Sequence, residues 1–378
     1  MNHLTNRILA ALLLAALLAV PAVTQAATEA KAKPEAPRIQ MAILLDTSNS
    51  MDGLIDQAKS QLWKIVNELA RMKKNGATAD LRVALFEYGK SSLPAGEGYI
   101  RMITPLTADL DKISEELFAL RTNGGDEYCG QVIQSAVNGL QWAPGGDGMK
   151  LIFIAGNEPF TQGAVDYRAS CRAAAAKGIS VTTIFCGSDQ EGVATGWKDG
   201  ADVGGGRYLS IDQELKVAAV TAPQDAEIVK AGEELNRTYV AYGAEGKKGV
   251  ERQKAQDANA ASVNAEAPAQ RAMAKASAAY RNTGWDLVDA EESGAVKVEE
   301  MKAEDLPENM RSMTPAERRA YIDQMKAQRA ALKAKIRKLQ AERDKYVAAE
   351  MKKQSGEATL DNALLKAVHE VAGKRGFQ

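Results

Sequence analysis

Histidine is nearly missing from this sequence: 378 residues contain two, His3 and His369. A Ser/His/Asp or Cys/His catalytic group needs an imidazole base near its nucleophile, and no such base is at hand in the body of the chain. Cysteine is also scarce, at three residues, Cys129, Cys171 and Cys186. An odd count leaves at least one thiol unpaired or intermolecular. No CxxC and no HExxH occurs, so a zinc site of the common kind has no support. Charge of one sign is absent too: 48 Lys and Arg against 49 Asp and Glu give a formal net charge of −1. Such a chain sets up no basic field for nucleic acid and has no acidic tail. Aromatic residues make up 5%. The longest apolar run, Ile8–Val20, has 13 residues, too few for a bilayer core that needs about 20.

That run is read as part of a secretory signal. Arg7 gives the positive start, and Thr24-Gln25-Ala26 places small residues at a cleavage site after about Ala26. The rival is an uncleaved anchor. Residues 27–37, rich in Ala, Lys, Glu and Pro, read as a linker. The expected location is the periplasm or outside the cell, with no transmembrane segment after cleavage. Export permits disulfides. Cys171 with Cys186, a helix residue and the end of the next strand, is the expected pair; three small buried hydrophobes are the alternative.

From Arg38 to Ile211, short apolar runs alternate with amphipathic helices. Strands are expected at Ile39–Leu45, Leu81–Tyr88, Tyr99–Leu106, Leu151–Ala155, Ile179–Cys186 and Tyr208–Ile211. Helices are expected at Leu54–Met72, Leu110–Leu120, Val132–Leu140 and Val165–Lys177. Lys73-Lys74-Asn75-Gly76 reads as a helix end. The pattern predicts an α/β domain over residues 38–221, a doubly wound and mainly parallel sheet flanked by helices.

After about Ala222 strand signals stop and Ala, Glu, Lys, Gln and Arg dominate. Residues 222–313 read as mainly helical and partly irregular, with the island Asn282–Val288 docking back on a domain surface. Thr314-Pro315-Ala316-Glu317 has the signature of a capping box, so a long helix spans 314–352, followed by a C-terminal helix over 353–378. Met325, Leu332, Leu339 and Tyr346 recur every seven residues, while Arg329 and Arg343 interrupt the second row formed by Ile322 and Ile336. This imperfect stripe suits a coiled coil and self-association, or equally a helix lying on its own neighbours. Arg329–Lys338 reads as a solvated helix face. Trp63, Trp142 and Trp197 read as core.

The first strand ends in Asp46-Thr47-Ser48-Asn49-Ser50. A carboxylate and two hydroxyls at alternate positions stand just past the carboxyl end of a parallel strand, where doubly wound sheets bind ligands. Oxygen donors of this hardness suit Mg²⁺, Ca²⁺ or Mn²⁺. The plain alternative is that Asp46 and the serines are turn and N-cap residues before the next helix.

Residues 38 to 211 resemble a von Willebrand factor type A domain. Asp46, Ser48 and Ser50 are similar to that family's DxSxS motif. The resemblance implies a metal-ion-dependent adhesion site with two further loops. At the place of the family's Thr stands Gly124-Gly125-Asp126-Glu127, so Asp126 replaces it. At the place of its second Asp stands Asn157. Glu127 and Glu158 are auxiliary donors. The mature chain further resembles bacterial exported proteins in which such a domain precedes an alanine-rich helical tail. These likenesses imply a non-catalytic protein-binding role in the envelope or outside the cell, with Mg²⁺ or Ca²⁺ at a modified site. The alternatives are a scaffold acting through its coiled helices and, furthest off, a metal-assisted hydrolase using Asp46, Asp126 and Glu158.

Overall fold

A computed structural model describes residues 36–146, 148–212, 220–353 and 360–378. The signal and most of the linker expected at residues 1–35 lie outside the described residues. Element order follows the alternation in the sequence: β1 (Arg38–Asp46), α1 (Asp52–Arg71), β2 (Lys73–Lys74), β3 (Ala77–Thr78), β4 (Asp80–Tyr88), β5 (Ile100–Thr107), α2 (Leu110–Ala119), α3 (Cys129–Gly139), β6 (Met149–Gly156), α4 (Tyr167–Ala176), β7 (Ile179–Cys186), α5 (Asp189–Ala194), α6 (Trp197–Val203) and β8 (Gly205–Ile211). Six strands form one sheet in the order β5-β4-β1-β6-β7-β8. All neighbours are parallel except β4 and β5.

The central strands are apolar throughout because both faces are covered. On β1, Ile39, Met41 and Leu45 enter one core, beneath α1 and α2, while Ala42 and Leu44 enter the other, beneath α3, α4 and α6. On β6, Leu151 and Phe153 face the first core, Ile152 and Ile154 the second. This alternation decides the cysteine question. Cys171 lies in the second core and Cys186 in the first, on opposite faces of the sheet. The expected pair is not formed, and all three cysteines are buried free thiols.

One expected helix end is a hairpin instead. α1 stops at Arg71, and Lys73–Lys74 pairs with Ala77–Thr78 around Asn75 and Gly76, whose φ values of 52° and 78° are those of an Asn-Gly hairpin turn.

The rest of the chain is helical: α7 (Asp225–Asn236), α8 (Gly246–Val263), α9 (Ala267–Ala276), α10 (Leu287–Glu292), α11 (Pro315–Lys353) and α12 (Leu360–Lys374). The capping box at the start of α11 forms, with Thr314 N donating to Glu317 Oε2 at 2.7 Å and Glu317 N to Thr314 Oγ1 at 3.3 Å. The heptad stripe of α11 is used inside the chain. Ile336 and Leu339 pack with Ile228, Leu235 and Met273 of α7 and α9, and Ile322 and Met325 with Leu287, Val288 and Met310. The two interrupting arginines are buried as well. Arg329 donates to Asp286 at 2.6 Å and Asp289 at 2.8 Å, and Arg343 to Asp225 at 2.6 Å. Arg329 is therefore an internal ion-pairing residue, not part of a solvated face. The island around Trp285 docks within this helical region, where Leu287 and Val288 help form its core.

α12 returns to the sheet. Leu364, Val368 and Val371 join the first core with Ile184, Cys186, Leu209 and Ile211. Lys73 and Gln378 exchange two backbone hydrogen bonds of 2.8 Å. The helical stretch from α7 to α11 is thus inserted between the last strand and a helix that covers it. Trp63 and Trp197 are core residues, and Trp142 is half-buried. Among the described residues no helix is long and apolar enough to cross a membrane.

Candidate functional site

β4 and β5 lie on one side of β1, and β6, β7 and β8 on the other. The connections therefore diverge at the carboxyl ends of β1 and β6, which leaves a crevice there. Asp46 is the last residue of β1 and Gly156 the last of β6, with Tyr88 beside Asp46 at the end of β4. The backbone turns immediately: Ser48 N donates to Asp46 Oδ1 at 2.7 Å, and Met51 N to Ser48 O at 3.1 Å, which starts the turn into α1. Thr47 ties the turn to its neighbours, its N donating to Tyr88 O and its O accepting from Asn123 N, both at 2.9 Å.

Asp46 is fully buried, and its Oδ2 has no hydrogen-bond partner. A Cβ on Gly156 would stand 2.6 Å from the Tyr88 hydroxyl oxygen and 3.1 Å from that Oδ2, so the close approach of β6 depends on glycine. Ser48 Oγ and Ser50 Oγ lie 3.4 Å apart. Asn157 joins them by donating from Nδ2 to Ser50 Oγ at 3.1 Å, while its buried Oδ1 has no partner.

The loop before α3 brings in a second carboxylate, and it is Glu127 rather than Asp126. Glu127 is 4% exposed, its carboxyl lies beside Asp46 and Ser48, and its Oε2 is unpartnered. Gly89, at φ 80°, makes the room: a Cβ there would meet Glu127 Cγ at 2.6 Å and Asp46 Oδ1 at 2.7 Å. Asp126 turns outward, exposed, and accepts from the Tyr128 hydroxyl at 3.2 Å. Backbone anchoring sets this split. Glu127 N donates to Gln162 Oε1 at 2.6 Å and Cys129 N to Glu127 O at 3.1 Å, which fixes which of the two successive side chains points in.

Burial pushes the Asp46 carboxyl up to about 7, helped by Glu158 and opposed by its bonds to Ser48. Burial, then the neighbouring Asp46, pushes Glu127 up to about 9. Among the described residues neither acid is ion-paired, whereas nearby Glu87, also buried, meets Arg101 at 2.5 Å. Glu158 is half-buried, and its backbone oxygen accepts from Trp197 Nε1 at 2.8 Å. At the rim, Tyr99 holds an unusual positive φ of 54°, with its ring centroid 5.9 Å from that of Tyr128. A bulky residue in the left-handed region is strained, and such strain gathers near functional loops.

Among the described residues no group of three or more His, Cys, Asp or Glu is placed to hold a metal. The cluster here is of another kind, two carboxylates with two hydroxyls and an amide.

Residues 40–194 match the family model of the von Willebrand factor type A domain. The chain carries a domain of that family. The sheet of this type A domain continues past the matched segment to Ile211, and α12 covers its last strands. Part of the chain is similar to solved structures. The conserved hypothetical protein BatB from Bacteroides thetaiotaomicron is 18% identical, with 46% of this chain and 90% of that chain covered and a TM-score of 0.36. An aerotolerance-related membrane protein from Bacteroides fragilis is 16% identical, with 46% and 92% covered and a TM-score of 0.32. The pilus adhesin SpaC from Lactobacillus rhamnosus GG is 10% identical, with 47% and 28% covered and a TM-score of 0.34. No curated protein matches the chain.

Of the residues expected from sequence, Asp46, Ser48, Ser50, Glu127 and Asn157 come together, Glu158 stands beside them, and Asp126 stays outside. Gly89 and Tyr88 carried no signal of their own. Their part depends on β4 lying next to β1, which only the assembled sheet shows.

Proposed function

We propose that this chain is an exported, non-catalytic binding protein, in which Mg²⁺ or Ca²⁺ sits among Asp46, Ser48, Ser50, Glu127 and Asn157. One observation carries the reading. Asp46 Oδ2, Glu127 Oε2 and Asn157 Oδ1, from three loops, are buried oxygens without a donor. Buried acceptors left unmade are costly, and carboxylate, hydroxyl and amide oxygens are what hard divalent cations take. A bound cation would tie the three loops together at the crevice and shape the surface that meets a protein partner in the periplasm or outside the cell.

The scaffold reading, through self-associating tail helices, is weaker because the inward stripe of α11 is covered by α7, α9 and α10 of the same chain. A hydrolase reading has no histidine at the site among the described residues. His369 sits on α12 with Nε2 2.7 Å from Glu68, near the far end of α1. Sixteen residues of helix from Asp52 to Glu68 span about 24 Å.

Thermal unfolding of the full chain with increasing Mg²⁺ or Ca²⁺ tests the reading. A ligand of the folded state at a hundredfold excess over its Kd stabilises by about 2.7 kcal/mol. The melting temperature is expected to rise for the wild type and to stay fixed for Asp46→Ala. A flat response in the wild type removes the cation from the proposal.

A further inference from the structure

A divalent cation held by one carboxylate and neutral oxygens keeps positive charge and attracts an acidic side chain. Held by two carboxylates, it is neutralised. Which case applies here is decided by Glu127. Its backbone is fastened on both sides, by Gln162 at 2.6 Å and by Cys129 N at 3.1 Å. The side chain reaches inward over a glycine whose missing Cβ would otherwise meet its Cγ at 2.6 Å. It ends against Asp46 and Ser48, with Oε2 buried and without a donor. Most buried carboxylate oxygens are given a donor by the chain, and this one is not. Its exposed neighbour Asp126, by contrast, is satisfied by Tyr128.

We propose that Glu127 is the second carboxylate ligand of the cation and neutralises it, so that the cation fastens the loops to one another and does not capture an acidic side chain of a partner. This rests on the cation reading above and assigns the partner contact to the loop surfaces around the site.

Mn²⁺ serves as the probe, followed through the relaxation of water protons, with acetate standing in for an acidic side chain. The full chain, Glu127→Gln and Asp46→Asn are compared after melting curves establish that each is folded. Glu127→Ala gives a second route to the same readout. Wild type is expected to bind Mn²⁺ with no response to acetate. Glu127→Gln is expected to bind at least about 10-fold more weakly, since losing even an outer-shell partner costs about 10–100-fold, and to let acetate displace water. Equal Mn²⁺ affinity in wild type and Glu127→Gln overturns the inference and leaves the cation reading standing. So does an acetate response in the wild type. No Mn²⁺ binding to wild type overturns both.

Discussion

Around Arg271, buried charges of opposite sign are packed against each other; around Asp46 and Glu127, two acids share a buried site with no ion-pairing basic side chain among the described residues. The Arg271 guanidinium, 2% exposed, meets Asp111 of α2 at 2.5 Å and Asp257 of α8 at 2.9 Å. Lys275 meets Asp257 at 2.6 Å, Tyr280 donates to Asp111 at 2.6 Å, and Arg271 stacks 4.4 Å from the Trp63 ring of α1. Burial works against the charge on Asp257, but Lys275 and Arg271 outweigh it and hold its carboxyl below the usual range. In the loop site the same burial drives both carboxyls upward. Desolvating an ion costs several kcal/mol in either place. At the junction of domain and helices the chain itself compensates that cost. At the crevice it does not, which is the pattern of a site completed from outside.

Breaking the compensated cluster has the largest expected effect. Arg271→Ala strips the counter-charge from Asp111 and one of two cations from Asp257, leaving Lys275. Removing one partner of a buried pair costs about 3–5 kcal/mol, which should appear as a lower urea midpoint for the full chain. A change below about 1 kcal/mol would mean that the network does not pin the helical region to the domain.

The uncompensated cluster should respond to pH in the opposite sense to ordinary carboxylates. Asp46 and Glu127 have raised values in the folded chain, so the folded state binds more protons than the unfolded one between the usual carboxylate range and about 9. Their contribution is fully present below the unfolded values and is lost as pH rises through the folded ones, the two acids titrating together. In chelator, the melting temperature of the wild type should therefore fall from about pH 5 to pH 9 more steeply than that of Asp46→Asn. Saturating Mg²⁺ should flatten the wild-type curve, because the cation takes over from the protons. Parallel curves for wild type and Asp46→Asn in chelator would show that the two acids are not coupled in the folded chain.

The sequence made the fold more legible than the site, for a physical reason. Runs such as Ile39–Leu45 and Ile179–Cys186 repeat a simple condition, burial on both faces, over many residues, and each is seen as a strand within about a residue of its expected ends. Asp46, Ser48 and Ser50 were legible because a strand end and a helix start bracket them. Asp126 and Glu127 sit in a loop with no repeat, and the choice between them is made by Gln162, 35 positions further along. Cys171 and Cys186 looked like a pair because helix and strand adjoin, yet the pleat sends Cys186 to the other face of the sheet. Arg329 and Arg343 looked like flaws in a stripe. Their partners Asp286, Asp289 and Asp225 are far away in sequence, so nothing local marked them as buried.

The smallest expected effect tests the contrast at the surface, where water does most of the compensating. Thr314 and Glu317 are exposed, and their reciprocal bonds cap α11. Thr314→Ala removes one side-chain cap and should cost about 1 kcal/mol, read as a shift in the urea midpoint. The backbone N–H of Thr314 holds the Glu317 carboxyl below its usual range, so that bond adds stability at neutral pH and loses it as pH falls through the carboxylate range. Glu317→Gln should then matter less than Thr314→Ala and converge on wild type in acid. A loss at Thr314 as large as that at Arg271 would break the comparison, since an exposed hydrogen bond and a buried ion network would then weigh the same.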